Sequence, residues 1–177
     1  DTAVVAMFLD RADYQNKKIL EKACNWIVGM QSENGGWGSF DKNNTFYYLN
    51  NIPFADHGAL LDPPTADVSA RCVSMLSQID KKNYKNVIQK GVRFLKNEQE
   101  KDGSWFGRWG TNYIYGTWSV LHALKAAGED MNADYIKKSI TWIKNKQNKD
   151  GGWGEDCATY WKEKKNMPSI KSMPSQT

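Results

Sequence analysis

Two aspartates, Asp1 and Asp67, stand where carboxylates could share protons, and Arg71 follows the second by one helical turn. Counted back from the recurring lysines Lys22 and Lys90, the aspartates lie 21 and 23 positions upstream, so they hold one register. Carboxylates facing one cavity cannot all ionise together, and such a cluster keeps a proton available for acid chemistry. The Arg71 spacing permits an Asp67 to Arg71 ion pair on one helix face, where a permanent positive charge would favour the ionised carboxylate. Each residue also has a plainer use. Aspartate is a preferred helix N-cap, and an Asp–Arg pair one turn apart is an ordinary helix salt bridge. Tyr115, in the run Tyr113-Ile114-Tyr115-Gly116-Thr117, reads on its own as a half-buried packing tyrosine.

Holding these residues in place requires elements of fixed register, and one spacing occurs three times. Lys22, Trp26, Gln31, Gly35 and Trp37 are followed by Lys90, Phe94, Gln99, Gly103 and Trp105, then by Lys138, Trp142, Gln147, Gly151 and Trp153. A pattern kept to the residue means that one supersecondary unit is reused. Before each glutamine, apolar residues recur at helical spacing: Leu20, Ala23 and Ile27, then Ile88, Gly91 and Leu95, then Ile136, Ser139 and Ile143. The glycines after these helices are expected to end them as left-handed C-caps. A more apolar helix precedes each one, over Thr2 to Leu9, Val68 to Leu76 and Thr117 to Ala127. The unit is a helical hairpin with an apolar inner and an amphipathic outer helix, and stacked hairpins bury a continuous core. The third inner helix starts at the same register, since Gly116 precedes Lys138 by 22 positions. The glutamines are expected to satisfy backbone groups at a neighbouring helix end while the tryptophan rings pack over them. Between Gly38 and Pro64 runs a long, polar, aromatic-bearing connection of the kind that usually carries function.

Composition narrows the class. The chain has 177 residues, 40% of them hydrophobic, with eight Trp, eight Tyr and six Phe, enough to line a large apolar space. Its net charge of +4 is spread along helices, which argues against nucleic acid as a partner. Cys24, Cys72 and Cys157 are odd in number and widely spaced, so neither a disulfide framework nor a zinc site is suggested, and a reducing compartment fits best. No apolar run approaches the ~20 residues of a spanning helix. The chain reads as an internal piece, starting at Asp1 and stopping at Pro174-Ser-Gln-Thr where a new helix is about to begin.

The recurring Gln-x3-Gly-x-Trp resembles the QW motif of triterpene cyclases. The words QEKDGSWFGRWG from Gln99, IPFADHG from Ile52 and LDPPTADVSA from Leu61 are similar to squalene-hopene cyclases in particular. Asp1-Thr2-Ala3 resembles the end of that family's acid motif, entered at its last aspartate, with the proton-delivering aspartate expected just before Asp1. Oxidosqualene cyclases carry Cys where Asp1 stands. The resemblance runs over the whole chain and implies an all-α fold, an α/α toroid (an incomplete α6-α6 barrel) built from hairpins. Residues 1–177 would form part of one α/α-barrel catalytic domain truncated at both ends, and the isolated piece would be inactive.

The resemblance further implies an isomerase that protonates a terminal alkene of squalene and folds the polyene in an aromatic cavity. Asp1 would be a helper in the acid cluster, Tyr115 the tyrosine that hydrogen-bonds it, and Asp67 a polar site residue. Arg71 stands where some members carry histidine. Phe40 and Trp109 would face the cation with their rings, with core packing as the plainer reading of both. No metal or organic cofactor is implied. The parent would be a monotopic, membrane-associated enzyme at the cytoplasmic face, and a homodimer. Two other readings stay open: a prenyltransferase beta-type toroid, for which Glu155-x-Cys157 is a weak zinc-site echo, and a non-catalytic helical-repeat binding module. His57, His122 and Cys157 receive no role.

Overall fold

A computed structural model describes residues 1–53 and 60–165. Six α-helices pair as hairpins: α1 (Thr2–Arg11) with α2 (Lys17–Gly29), α3 (Ala66–Asp80) with α4 (Lys85–Asn97), and α5 (Tyr113–Ala127) with α6 (Asp134–Asn145). Among the described residues there is no sheet, only one antiparallel bridge between Asn44 and Asp62. A 3₁₀ turn at Tyr47–Asn51 lies in the long connection, and two more, Cys157–Tyr160 and Lys162–Lys164, follow α6. His57 and the end of the chain from residue 166 fall outside the described residues.

α1, α3 and α5 pack side by side as an inner row, and the even-numbered helices lie against its outside. Small residues make the close contact between α3 and α5 possible: Ser69, Ala70 and Ser74 on one helix, Gly116, Ser119 and Ala123 on the other. Below them the core is filled by Val73, Met75, Leu76, Val120 and Leu124, with Leu95 from α4 and Ile136 from α6. The sequence pattern therefore places helices and layers correctly.

Its account of the helix ends is corrected in two respects. The outer helices stop at Gly29, Asn97 and Asn145 with right-handed C-caps at Met30, Glu98 and Lys146, well before the glycines. What satisfies their last turns is the tryptophan. The indole N–H donates to a carbonyl ten residues earlier in its own helix, from Trp37 to Ile27 (2.7 Å), Trp105 to Leu95 (2.6 Å) and Trp153 to Ile143 (2.8 Å). Each indole N–H thus closes its own helix, while the Trp37 ring packs against Gly91 of α4 in the next hairpin.

The glutamines make the link between hairpins. Gln31 Nε2 donates to Gly35 O and to Val87 O in the first turn of α4 (2.9 and 3.0 Å). Gln99 Nε2 donates to Gly103 O, Tyr135 O and Ser139 Oγ (3.1, 2.9 and 2.8 Å). Gly35, Gly103 and Gly151 take φ of 92°, 97° and 89° in the turn beyond the helix, where other residues are strained. Space is a second demand at the first two. A methyl at Gly35 would lie 2.6 Å from Lys90 O, and one at Gly103 would lie 2.8 Å from Lys138 Cγ. Each glycine therefore seats on the lysine of the next copy.

Candidate active site

Because the three inner helices share one register, their N-terminal ends meet at one end of the stack. Asp1 immediately precedes α1, Asp67 and Arg71 lie in the first two turns of α3, and Tyr115 lies in the first turn of α5. Two turns that follow the buried tryptophans Trp37 and Trp105 add Phe40 and Trp109. Asp1, Arg71, Tyr115, Phe40 and Trp109 all line one cleft of about 420 Å³, together with Trp26 and Cys72. A second cleft of about 600 Å³ lies on the far side of Arg71, Trp109 and Tyr115, walled by Ile114, Trp118, Ile143 and Trp153. These three residues thus separate a polar cleft from an apolar one.

Asp67 sits beneath the first cleft, fully buried. Its Oδ2 accepts the backbone N–H of Trp109 (2.9 Å) and its Oδ1 accepts the Thr65 hydroxyl (2.6 Å). These bonds compensate the burial of the carboxylate. Arg71 does not turn back to Asp67 as its spacing suggested. Its Nη2 donates to the Tyr115 hydroxyl (2.6 Å), and the guanidinium carbon lies 5.5 Å from the centre of that ring. The tight α3–α5 packing brings the Tyr115 hydroxyl within reach of the guanidinium. Burial, followed by the charge of Asp67, pushes the Tyr115 phenol up to about 12 against the opposing pull of Arg71. It stays neutral at any physiological pH, with a proton to give and lone pairs to accept one.

The aromatic turns are pinned from below. Asp62 is buried and its carboxylate accepts the backbone N–H groups of Ser39, Phe40 and Asp41 (2.9, 2.5 and 2.6 Å). Arg108 ties the two turns together by donating to Leu61 O (3.0 Å). The rings of Phe40 and Trp109 meet edge to face at 5.7 Å, and both are at least half exposed, presenting open ring surface to the cleft. Gly107 and Gly110 leave room for the Tyr115 ring, since a methyl at either would come within 2.9 Å of it.

Asp1 is exposed. It occupies the N-cap position of α1, yet its side chain makes no capping hydrogen bond, so the simple capping role is not taken up. Glu155, the acid of the weak zinc-site echo, instead caps α5 by accepting the N–H groups of Asn112, Tyr113 and Ile114 (3.2, 3.1 and 2.7 Å), and Cys157 is exposed. Among the described residues no group of His, Cys, Asp and Glu is placed to hold a metal ion. His122 is satisfied by Ser74 Oγ (3.2 Å) and stacks on Trp118. Sequence reasoning missed Asp62, Glu155, Trp26 and Cys72. Burial drives the Cys72 thiol up to about 12, leaving it an inert part of the cleft wall.

All 177 residues match the squalene-hopene cyclase C-terminal domain. The chain belongs to the squalene-hopene cyclase family. It is 60% identical to a squalene-hopene cyclase of Schizosaccharomyces japonicus, 53% to one of Zymomonas mobilis and 49% to one of Alicyclobacillus acidocaldarius, in each case over the whole chain. It spans 27–28% of the length of these cyclases. The cleft end of the inner helices is therefore part of a cyclase C-terminal domain.

Proposed function

We propose that this chain supplies part of the proton-handling wall of a triterpene cyclase that converts squalene to a hopene or hopanol type product. The observation that carries the reading is the convergence of Asp1, Arg71, Tyr115, Phe40 and Trp109 on one cleft, with Asp67 directly beneath. In the longer protein an acid adds its proton to the terminal alkene carbon, leaving a tertiary cation. Each further double bond gives its electron pair to the preceding cation, and the last cation loses a proton or captures water. Loss of that proton leaves the atom count unchanged, which makes the reaction an isomerisation.

Within this scheme Asp1 shares its proton with the acid cluster, and Asp67, held by Thr65 and Trp109, supplies fixed negative charge beside Tyr115. Tyr115 and Arg71 form the route by which a proton returns, since the neutral phenol can pass a proton while the guanidinium holds its oxygen. Phe40 and Trp109 stabilise early positive charge through their faces, each desolvated contact contributing about 2 kcal/mol. The reading includes an α/α toroid, no cofactor, association of the longer protein with the cytoplasmic face of a membrane as a homodimer, and inactivity of the 177-residue piece. No helix among the described residues is long and apolar enough to cross a membrane.

The test is squalene turnover by the full-length protein in the presence of a metal chelator, with products separated by gas chromatography. Pentacyclic hydrocarbon or alcohol is the expected outcome, and the 177-residue piece alone should form none. Recovery of unchanged squalene from the folded full-length protein would overturn the reading.

A further inference from the structure

At the end of the stack away from the cleft, α4 and the C-terminal ends of α3 and α5 enclose a groove of about 640 Å³. Its floor is apolar, formed by Ile88, Val92 and Ala127. Its rim carries Lys81, Lys82, Lys85 and Arg93, all exposed, and none of the four makes an ion pair or side-chain hydrogen bond to a described residue. The carboxylate on this rim, Glu129, is already neutralised by Lys96 Nζ (2.6 Å) and the Tyr135 hydroxyl (2.9 Å). Four cations therefore surround an apolar slot whose one lining carboxylate is already paired.

We infer that this groove docks the protein on acidic phospholipid, with phosphate headgroups on the lysine and arginine rim and the start of an acyl chain over Ile88 and Val92. Charge complementarity selects an anionic occupant, and the apolar floor selects one with a hydrocarbon part. An acidic peptide fits less well, because the walls are helices whose backbone groups are already bonded, leaving an extended chain nothing to pair with. Point-like ammonium groups on flexible stems suit a diffuse anionic surface, each strengthening attachment about fivefold near an acidic bilayer. The inference gives the proposed membrane association a surface, and it stands or falls separately from the cyclase chemistry.

The test measures partition of the full-length protein onto vesicles of phosphatidylcholine with and without about one-third phosphatidylserine. The expected result is a preference for the acidic vesicles that weakens with salt as the charges are screened. The Lys82→Glu, Lys85→Glu, Arg93→Glu variant should lose that preference by at least about tenfold. Replacing the same three residues by glutamine should give an intermediate loss. Glutamate at Lys85 sits in the first turn of α4, where an acid suits the helix dipole, so circular dichroism should show a retained fold. A control with Lys101→Glu, Lys137→Glu and Lys149→Glu, all exposed elsewhere, should keep the preference. An equal loss in the control, or an unchanged preference in the groove variant, would overturn the inference. So would displacement by inorganic phosphate or by polyglutamate at matched ionic strength, since the occupant would then be a free anion or an acidic chain.

Discussion

The turns after the outer helices and the starts of the inner helices are set by the same register, yet they vary in opposite ways. In the turns the residues and bonds repeat: a glutamine to a glycine carbonyl and an indole N–H to a carbonyl ten residues back, three times over. At the inner helix starts the supporting bond repeats while the facing residue changes. The backbone N–H of Trp37 donates to Ser69 Oγ and that of Trp105 to Thr117 Oγ1, which makes Ser69 and Thr117 equivalent. Two residues earlier in each helix stand Asp67 and Tyr115, different in kind and both turned to the same cleft region. Identical residues at equivalent places hold the hairpins together; unlike residues at equivalent places are where the chemistry is put.

That contrast predicts which damage each substitution does. The largest effect is expected for Asp67→Asn in the full-length protein. An amide in place of the carboxylate removes the charge and sets an N–H₂ against the Trp109 N–H or the Thr65 hydroxyl, so turnover should fall about 10³-fold and stability by about 2–3 kcal/mol. Steady-state kinetics and urea unfolding check both. Retention of near-normal turnover would place Asp67 with the scaffold.

Next in size are changes in the repeated turns, read by denaturant unfolding. Gly103→Ala meets both a left-handed φ and the Lys138 side chain, and should cost about 1–3 kcal/mol with turnover per folded molecule unchanged. Gln99→Ala removes the donor shared by Gly103 O, Tyr135 O and Ser139 Oγ and should cost about 1–3 kcal/mol, whereas Gln147→Ala, whose single bond is exposed, should stay within about 0.5 kcal/mol in this chain. Equal losses at the two glutamines would deny the link between hairpins.

A smaller effect is expected from alkali. Tyr115 has a folded pKa raised from 10.0 to about 12, so its contribution to stability is complete below pH 10 and is lost as pH climbs to about 12. Cys72, raised from 9.0 to about 12, acts in the same direction from pH 9 upward. Melting temperature should be flat below pH 9 and fall between pH 9 and 12, and Tyr115→Phe should lessen the fall above pH 10. A Tyr115→Phe profile parallel to the parent would remove the phenol from that account.

Much of this was legible in the sequence. Helical periodicity gave the hairpins, and counting back from Lys22, Lys90 and Lys138 brought Asp1, Asp67 and the Tyr115 turn to one end. Illegible were the contacts decided by direction in space. Arg71 has an acid one turn away, but its partner is Tyr115 on another helix, which the α3–α5 packing brings within reach. Asp62 and Glu155 bind runs of backbone N–H groups more than twenty residues away, and no local spacing announces such a bond. The glycines stand out in the sequence, but a positive φ does not reveal which lysine the turn will meet.

The most direct test uses Asp1, whose side chain makes no capping bond to α1, so Asp1→Asn removes no cap from that helix. If the inner helix starts form the acid site, the full-length variant should melt within about 1 °C of the parent and cyclise squalene about 10²-fold more slowly. Normal turnover by a normally folded Asp1→Asn protein would contradict the assignment of chemistry to this end of the stack.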